Sequence, residues 1–326
     1  MIANNSIKLN ALQLITKGFV EMPGSDIKMD LAMNTPKSDF KHLLSMIPAA
    51  YTADFDGVKA SGKMAFDAKI KGTYNENSLP SFNANLLAEN ASFQYPDLPS
   101  SVNDINVKMN VNSPNADMDK MVVDIKKFGF DIEGSKVDAT LLLKTPMSDP
   151  NIKAAIDGTI VLDKLANAFP LGEQGIEELK GTIVADLKTA TKMSMVTDER
   201  YEEVDMAGNL KITGMNYLAT GMPKVTIQDM EMTFTPQNVQ LAAFDAVLGK
   251  SDLKVSGTLD NFLTYFSGTK TMKGDLVVRS NKFDANEWLE DSAPAEENTN
   301  KPTANIEDNT TASTDEAVFD KFDFKL

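Results

Sequence analysis

Apolar and polar residues alternate along most of this chain. Ile105, Val107, Met109 and Val111 are interleaved with Asn106, Lys108 and Asn110, the pattern of an extended strand with one apolar side and one wet side. Met64, Phe66, Ala68 and Ile70 alternate in the same way with Lys63, Ala65, Asp67 and Lys69, and Phe82, Ala84, Leu86 and Ala88 follow suit. Further runs carry Val123 and Ile125, then Phe128, Phe130 and Ile132, then Val137, Ala139, Leu141 and Leu143, and later Met230, Met232 and Phe234. Polar, Gly- or Pro-bearing stretches at residues 74–80, 95–99, 112–119, 146–150 and 214–223 read as turns. The alternating stretches sum to about 18–20 strands with only short helices between them, an all-β chain.

One strand-plus-helix unit recurs. Residues 152–169 begin as a short strand, turn through Asp157 and Gly158, and end in a helical turn with Leu162, Leu165 and Phe169 on one side. Upstream, Ile27, Met29, Leu31 and Met33 lead into Phe40, Leu43, Leu44 and Ile47. Downstream, Met272, Leu276 and Val278 lead through Asn281 into Phe283, Asp284, Asn286, Trp288 and Leu289. The copies lie about 120–125 positions apart, which predicts tandem multi-strand repeats. Residues 181–190 match 62–71, and Pro223 matches Pro99, at a similar interval. The expected organisation is a repeated region over 1–290, with a partial unit at 1–48 and full units at 49–170 and 171–290. Residues 291–317 turn to Ala, Glu, Asn, Thr, Ser and Pro, too little apolar surface to offset ordering entropy, so a disordered acidic linker is expected. In 318–326, Val318, Phe319, Phe322 and Phe324 predict the start of a further strand that ends before it pairs.

Composition narrows the function classes. A net charge of −15 disfavours binding a phosphate backbone, so nucleic acid is not expected as a partner. There is no cysteine and one histidine, which removes disulfides, thiolate metal sites and most acid–base chemistry. His42 reads as a helix-surface residue and Trp288 as a helix anchor. Asn112, Asn115, Asp117 and Asp119 resemble a calcium loop but lack its central Gly and terminal Glu, so a solvated turn is expected. No apolar run approaches the length of a membrane span, and the first ten residues have no basic segment followed by an apolar one. Any export or anchoring element is expected outside this sequence.

The segments 30–34 before Phe40-Lys41-His42-Leu43-Leu44, and 274–278 before 283–289, together with Leu86-Leu87-Ala88-Glu89-Asn90-Ala91-Ser92-Phe93 ahead of Pro96 and Pro99, resemble the AsmA family, particularly its carboxy-terminal region. The resemblance covers roughly residues 1–290. It implies a periplasmic protein tethered to the inner membrane by a helix that this sequence lacks. It also implies an elongated, curled, mostly antiparallel sheet forming a hydrophobic groove, similar to repeating β-groove lipid-transfer proteins that support outer-membrane assembly and lipid homeostasis. The implied partners are phospholipid, the inner membrane, and outer-membrane or envelope proteins. The family has no catalytic residues to carry over, so neither enzyme activity nor a cofactor is expected.

The residues themselves pose the same question, since so many one-sided strands need a partner layer and the helices are too few to supply it. The expected lipid-binding face comprises Met64, Phe66, Ile70, Phe82, Leu86, Ile105, Val107, Met109, Val111, Phe128, Phe130, Leu141, Leu143, Met232, Phe234, Leu276 and Val278. Methionine, present 18 times, suits a deformable surface. The alternative is that these faces close on one another as a β-sandwich, giving an envelope scaffold or adhesin module without lipid transport. An outer-membrane barrel fits less well, because aromatics are only 7% of residues and the strands are loop-broken.

Overall fold

A computed structural model describes residues 2–10, 12–36, 38–44, 57–96, 98–115, 117–198, 200, 203–235, 238–260, 262, 272–284 and 322–325. The chain opens with β1 (Ile2–Leu9), β2 (Leu12–Glu21), β3 (Ile27–Asn34), β4 (Ser38–Asp39) and α1 (Phe40–Leu44). Next come β5 (Lys59–Tyr74), β6 (Ser81–Gln94), β7 (Val102–Ser113), β8 (Val122–Ile132), β9 (Ser135–Lys144) and β10 (Asn151–Val161), then α2 (Leu162–Ala168). The second half holds β11 (Ile176–Lys192), α3 (Met193–Thr197), β12 (Asp205–Ala219), β13 (Val225–Phe234), β14 (Val239–Leu248), β15 (Ser251–Leu259), β16 (Met272–Arg279) and β17 (Phe322–Lys325).

All of these strands belong to one 17-stranded sheet. From β1 to β16 each strand pairs antiparallel with the next, except that β3 and the short β4 both pair with β5. The sheet is curled and not closed: among the described residues no register joins the first strands to the last. There are fewer strands than the alternations suggested because several are long, 16 residues in β5 and 17 in β11. β2 runs straight through Gly18, which, at φ 131°, is where β3 approaches: a Cβ there would lie 1.8 Å from the Asp30 carbonyl oxygen.

The expectation of an unpaired terminal strand is corrected. Phe322–Lys325 pairs in parallel with residues 272–275 at the edge of β16. An edge strand presents a row of free N–H and C=O groups, and alternation in a sequence says nothing about which strand will take them, or in which direction. The linker expected at 291–317, and the helix positions Ile47, Asn286, Trp288 and Leu289, lie outside the described residues.

Cross-strand registers keep the apolar positions together. Phe66 stands opposite Leu86, Leu86 opposite Met109, Met109 opposite Ile125, Ile125 opposite Leu141 and Leu141 opposite Ala154. A slip of one residue would turn a strand's whole apolar set to water. Bulges hold the register where the chain would lose it. Val102 and Ile105 are three residues apart, yet both face inward because the register shifts around Asp104, held at φ 49°.

Three buried clusters lie on this face. The largest joins Phe40 of α1 and Ala168 of α2 to Val58, Ala88, Ala91, Val102, Ile105 and Ile132, with Leu165 and Phe169 packed against it. α2 forms because Leu162, Leu165 and Phe169 recur at helical spacing, and it stops where Phe169 goes extended ahead of Pro170. Its Asp163 carboxylate accepts from the Gly181 N–H at 3.1 Å, and the Asn167 carbonyl accepts from the Ser100 N–H at 3.2 Å, tying the helix to β11 and to the β6–β7 connection. Phe93 stacks edge-on to both Tyr95 and Phe169, with centroids 6.0 and 5.9 Å apart. Smaller clusters join Leu12, Leu14 and Met64, and Ile212, Ile227 and Ala246.

Candidate functional site

Registers carry one apolar face across the sheet without interruption. One row runs Ala88, Val107, Phe128, Ala139, Ile156, Leu187, Gly208, Phe234, Val239 and Leu259, each residue directly opposite the next. All of the residues named from the sequence fall on this face. Met64 pairs with Ala88, Phe66 with Leu86, Ile70 with Phe82, Ala84 with Val111, Ala91 with Ile105, Phe130 with Val137 and Leu143 with Ile152. In the second half, Met232 pairs with Leu210, Phe234 with Val239, Leu276 with Gly257 and Val278 with Val255.

Burial divides them. Met64, Ile105 and Phe234 are only 2%, 7% and 6% exposed, sealed respectively among Leu12 and Leu14, beneath the α1–α2 cluster, and against Phe262 at a centroid distance of 5.5 Å. These three are packed and cannot line an open surface as they stand. Phe128 and Val278 are 42% and 41% exposed, and the other twelve are half-buried. Among the described residues no second sheet faces them. The sequence reading left out Ile125, Ile156, Leu187, Met230 and Phe244, which share the face. Ile125 and Met230 stand in runs whose alternation is legible, while Ile156 and Leu187 lie on β10 and β11, where Ala and Thr at intervening positions weaken the alternation, and Phe244 lies on β14, where a register shift breaks it.

The opposite face is polar and internally bonded. Asn85 donates to Asp67 at 2.8 Å, Asn110 donates to Asn85 at 2.7 Å, and Asn83 donates to Asn112 at 3.1 Å, a ladder of amides across β5 to β7. A shallow depression of about 290 Å³ lies there between Asp67, Leu87, Lys108 and Lys126. A second, of about 250 Å³, lies beside α2 between Leu98, Phe169, Leu171 and Leu179.

The two rims of the apolar face differ. At the rim holding the β6–β7, β8–β9 and β10–β11 connections, aromatic and aliphatic side chains fold inward with α1 and α2. At the other rim, carboxylates bind one turn to the next. Asp119, after β7, accepts from the Ser148 hydroxyl at 2.7 Å, the Ser148 N–H at 2.8 Å and the Met147 N–H at 3.2 Å. The Ser148 bonds hold its carboxyl below the usual carboxylate range. Asp149 accepts from the Ser194 N–H and hydroxyl, both at 2.8 Å, and is lowered for the same reason. The turn once compared with a calcium loop is thus a solvated turn whose Asp119 is already engaged. Among the described residues no group of three or more His, Cys, Asp or Glu side chains could hold a metal ion. No helix among them is long and apolar enough to cross a membrane.

Comparison of the chain with protein-family models, with characterised proteins and with solved structures finds no match.

Proposed function

We propose that the apolar face is a groove that carries phospholipid acyl chains, and that the protein moves lipid between the inner and outer membranes, supporting outer-membrane assembly and lipid homeostasis. The observation that carries the reading is the continuous apolar face of one unclosed sheet with, among the described residues, no second sheet opposite it. Interstrand spacing gives β5 to β16 a contour of about 50 Å, several times the ~15 Å depth of one bilayer leaflet. The groove therefore has room for acyl chains in series. Its periplasmic setting, its inner-membrane tether outside this sequence and its membership of an AsmA-like group belong to the same proposal and rest on the sequence resemblance. No catalytic step is proposed.

The order of elements supports a repeated origin for the groove. Strands β5 to β10 begin at 59, 81, 102, 122, 135 and 151, and β11 to β16 at 176, 205, 225, 239, 251 and 272, offsets of 117, 124, 123, 117, 116 and 121. Each six-strand set opens with its longest strand, β5 or β11.

A second reading, a rigid envelope scaffold without lipid, is favoured locally by the cluster where α1 and α2 cover the face over β5 to β8. Mass spectrometry of lipid extracted from the purified protein separates the two. Stoichiometric phospholipid supports the groove; protein free of lipid, with the half-buried face dry and protected, leaves the scaffold.

A further inference from the structure

The unlike rims imply a direction of approach. At the rim formed by the β2–β3, β5–β6, β9–β10 and β11–α3 connections, large apolar side chains point outward: Met22 is 72% exposed, Leu79 40%, Met147 71% and Met193 42%, with Tyr74 at 48% beside Leu79. They come from four separate turns that lie at the same end of the strands, as the registers of β2, β3, β5, β9, β10 and β11 require. Between β5 and β11 the opposite rim behaves in the reverse way. There Phe40, Phe93, Leu165 and Phe169 are folded onto the sheet.

These outward residues are held in place. Asn75 donates to Asp26 at 3.0 Å, joining the turn of Met22 to that of Leu79. Asp149 and the Met193 N–H, which donates to the Pro150 carbonyl at 2.9 Å, join the turn of Met147 to α3. Single exposed apolar residues are ordinary on a protein surface, but here four sit on separate braced connections at one end of the strands.

We propose that this rim rests on a bilayer, with Met22, Leu79, Met147 and Met193 entering the interfacial zone. Three observations select a bilayer as the occupant. The tips are isolated side chains on separate turns at one end of the strands, suited to a soft surface, whereas a protein partner would need a compact central patch. The apolar face reaches this rim through Ile70, Phe82, Leu143 and Ile152, so a chain leaving the bilayer here meets apolar surface at once. The rim also carries exposed acids, Glu76, Asp117 and Asp198 among them, the last two paired with Lys120 and Arg200 at 3.4 and 3.6 Å, on a chain of net charge −15. That suits the outward ammonium groups of zwitterionic lipid and disfavours an anionic surface. The inference rests on the groove reading for its purpose, but its test is separate.

The test is flotation of the full chain with phosphatidylcholine vesicles. Wild type is expected to float, and M22S/L79S/M147S/M193S to lose at least ~10-fold in vesicle partition. The control M222S/F283S, at the opposite rim, is expected to float like wild type. Replacing part of the phosphatidylcholine with phosphatidylglycerol at low salt is expected to weaken binding. Failure of wild type to float, equal flotation of the four-site variant, equal loss in the control, or stronger binding to the anionic vesicles would each overturn the proposal. Lipid copurified with the same preparations is measured in parallel. Wild type that floats but carries no lipid would count against the groove and leave the rim contact standing.

Discussion

Asp157 stands directly opposite Asp138 on one neighbouring strand and directly opposite Asp186 on the other, on the polar face at the middle of the sheet. Like charges in direct cross-strand register repel, by about 0.2–1 kcal/mol per pair. Asp157→Asn is therefore expected to stabilise the protein by a similar amount, and Asp157→Lys by somewhat more. Urea denaturation midpoints at low salt check this, and the gain should shrink as salt is added. A loss of stability in both variants would show that the row has an unrecognised favourable role.

The close approach of strands at glycine gives a second expectation. Gly208 has φ 129°, and a Cβ there would lie 1.8 Å from the Asp186 carbonyl oxygen, whereas Gly214, at φ 60°, has no atom within 4 Å. Gly208→Ala should cost roughly 2–5 kcal/mol from backbone strain and overpacking together. Gly214→Ala should cost only the left-handed conformation, about 1–2 kcal/mol. Equal costs in chemical denaturation would place the crossing of β11 and β12 elsewhere.

Much of this fold was legible in the sequence because a period of two survives wherever one face is apolar. Ile125 and Phe128 differ in parity, and the structure resolves the difference as a register shift between β8 and β9 that leaves both on the same face. Other features left no such trace. Nothing in the alternation distinguishes Met109, half-buried on the open face, from Ile105, sealed under α1 and α2, because that cover comes from helices more than fifty residues away on either side. α3 escaped notice because Met193 to Thr197 is only five residues long and follows a strand without a turn signal. The parallel seat of Phe322–Lys325 depends on a free edge, which is a property of the sheet and not of the segment.

The division of the apolar face into sealed and open positions predicts two kinds of mutant. Ile105→Ala should destabilise by about 2–5 kcal/mol, since the cavity opens inside a packed cluster. Phe128→Asp, at a side chain 42% exposed, should leave the fold intact and reduce copurified lipid. Thermal melts and lipid extraction on the same samples check both. A Phe128→Asp protein that unfolds would mean that the open face is a core.

The rim carboxylates set a dependence on acid. Asp119 and Asp149 are held below their ordinary range by hydrogen bonds from Ser148 and Ser194. Such groups contribute stability that is present above the unfolded-state carboxyl value and is lost as pH falls through the lower folded value. The protection factors of the Ser148 and Ser194 amides, referred to the slower intrinsic exchange in acid, should therefore fall as pH drops below about 4, and Asp149→Asn should abolish the step at Ser194 while sparing that at Ser148. A single step shared by both amides in that variant would instead indicate global unfolding.

The most direct test of the groove is photo-crosslinking in cells from a benzophenone side chain placed at Met109 or Leu141, with Lys108 on the opposite face as control. The account predicts phospholipid adducts at positions 109 and 141 and none at 108. Equal labelling at all three positions, or labelling at 108 alone, would contradict it.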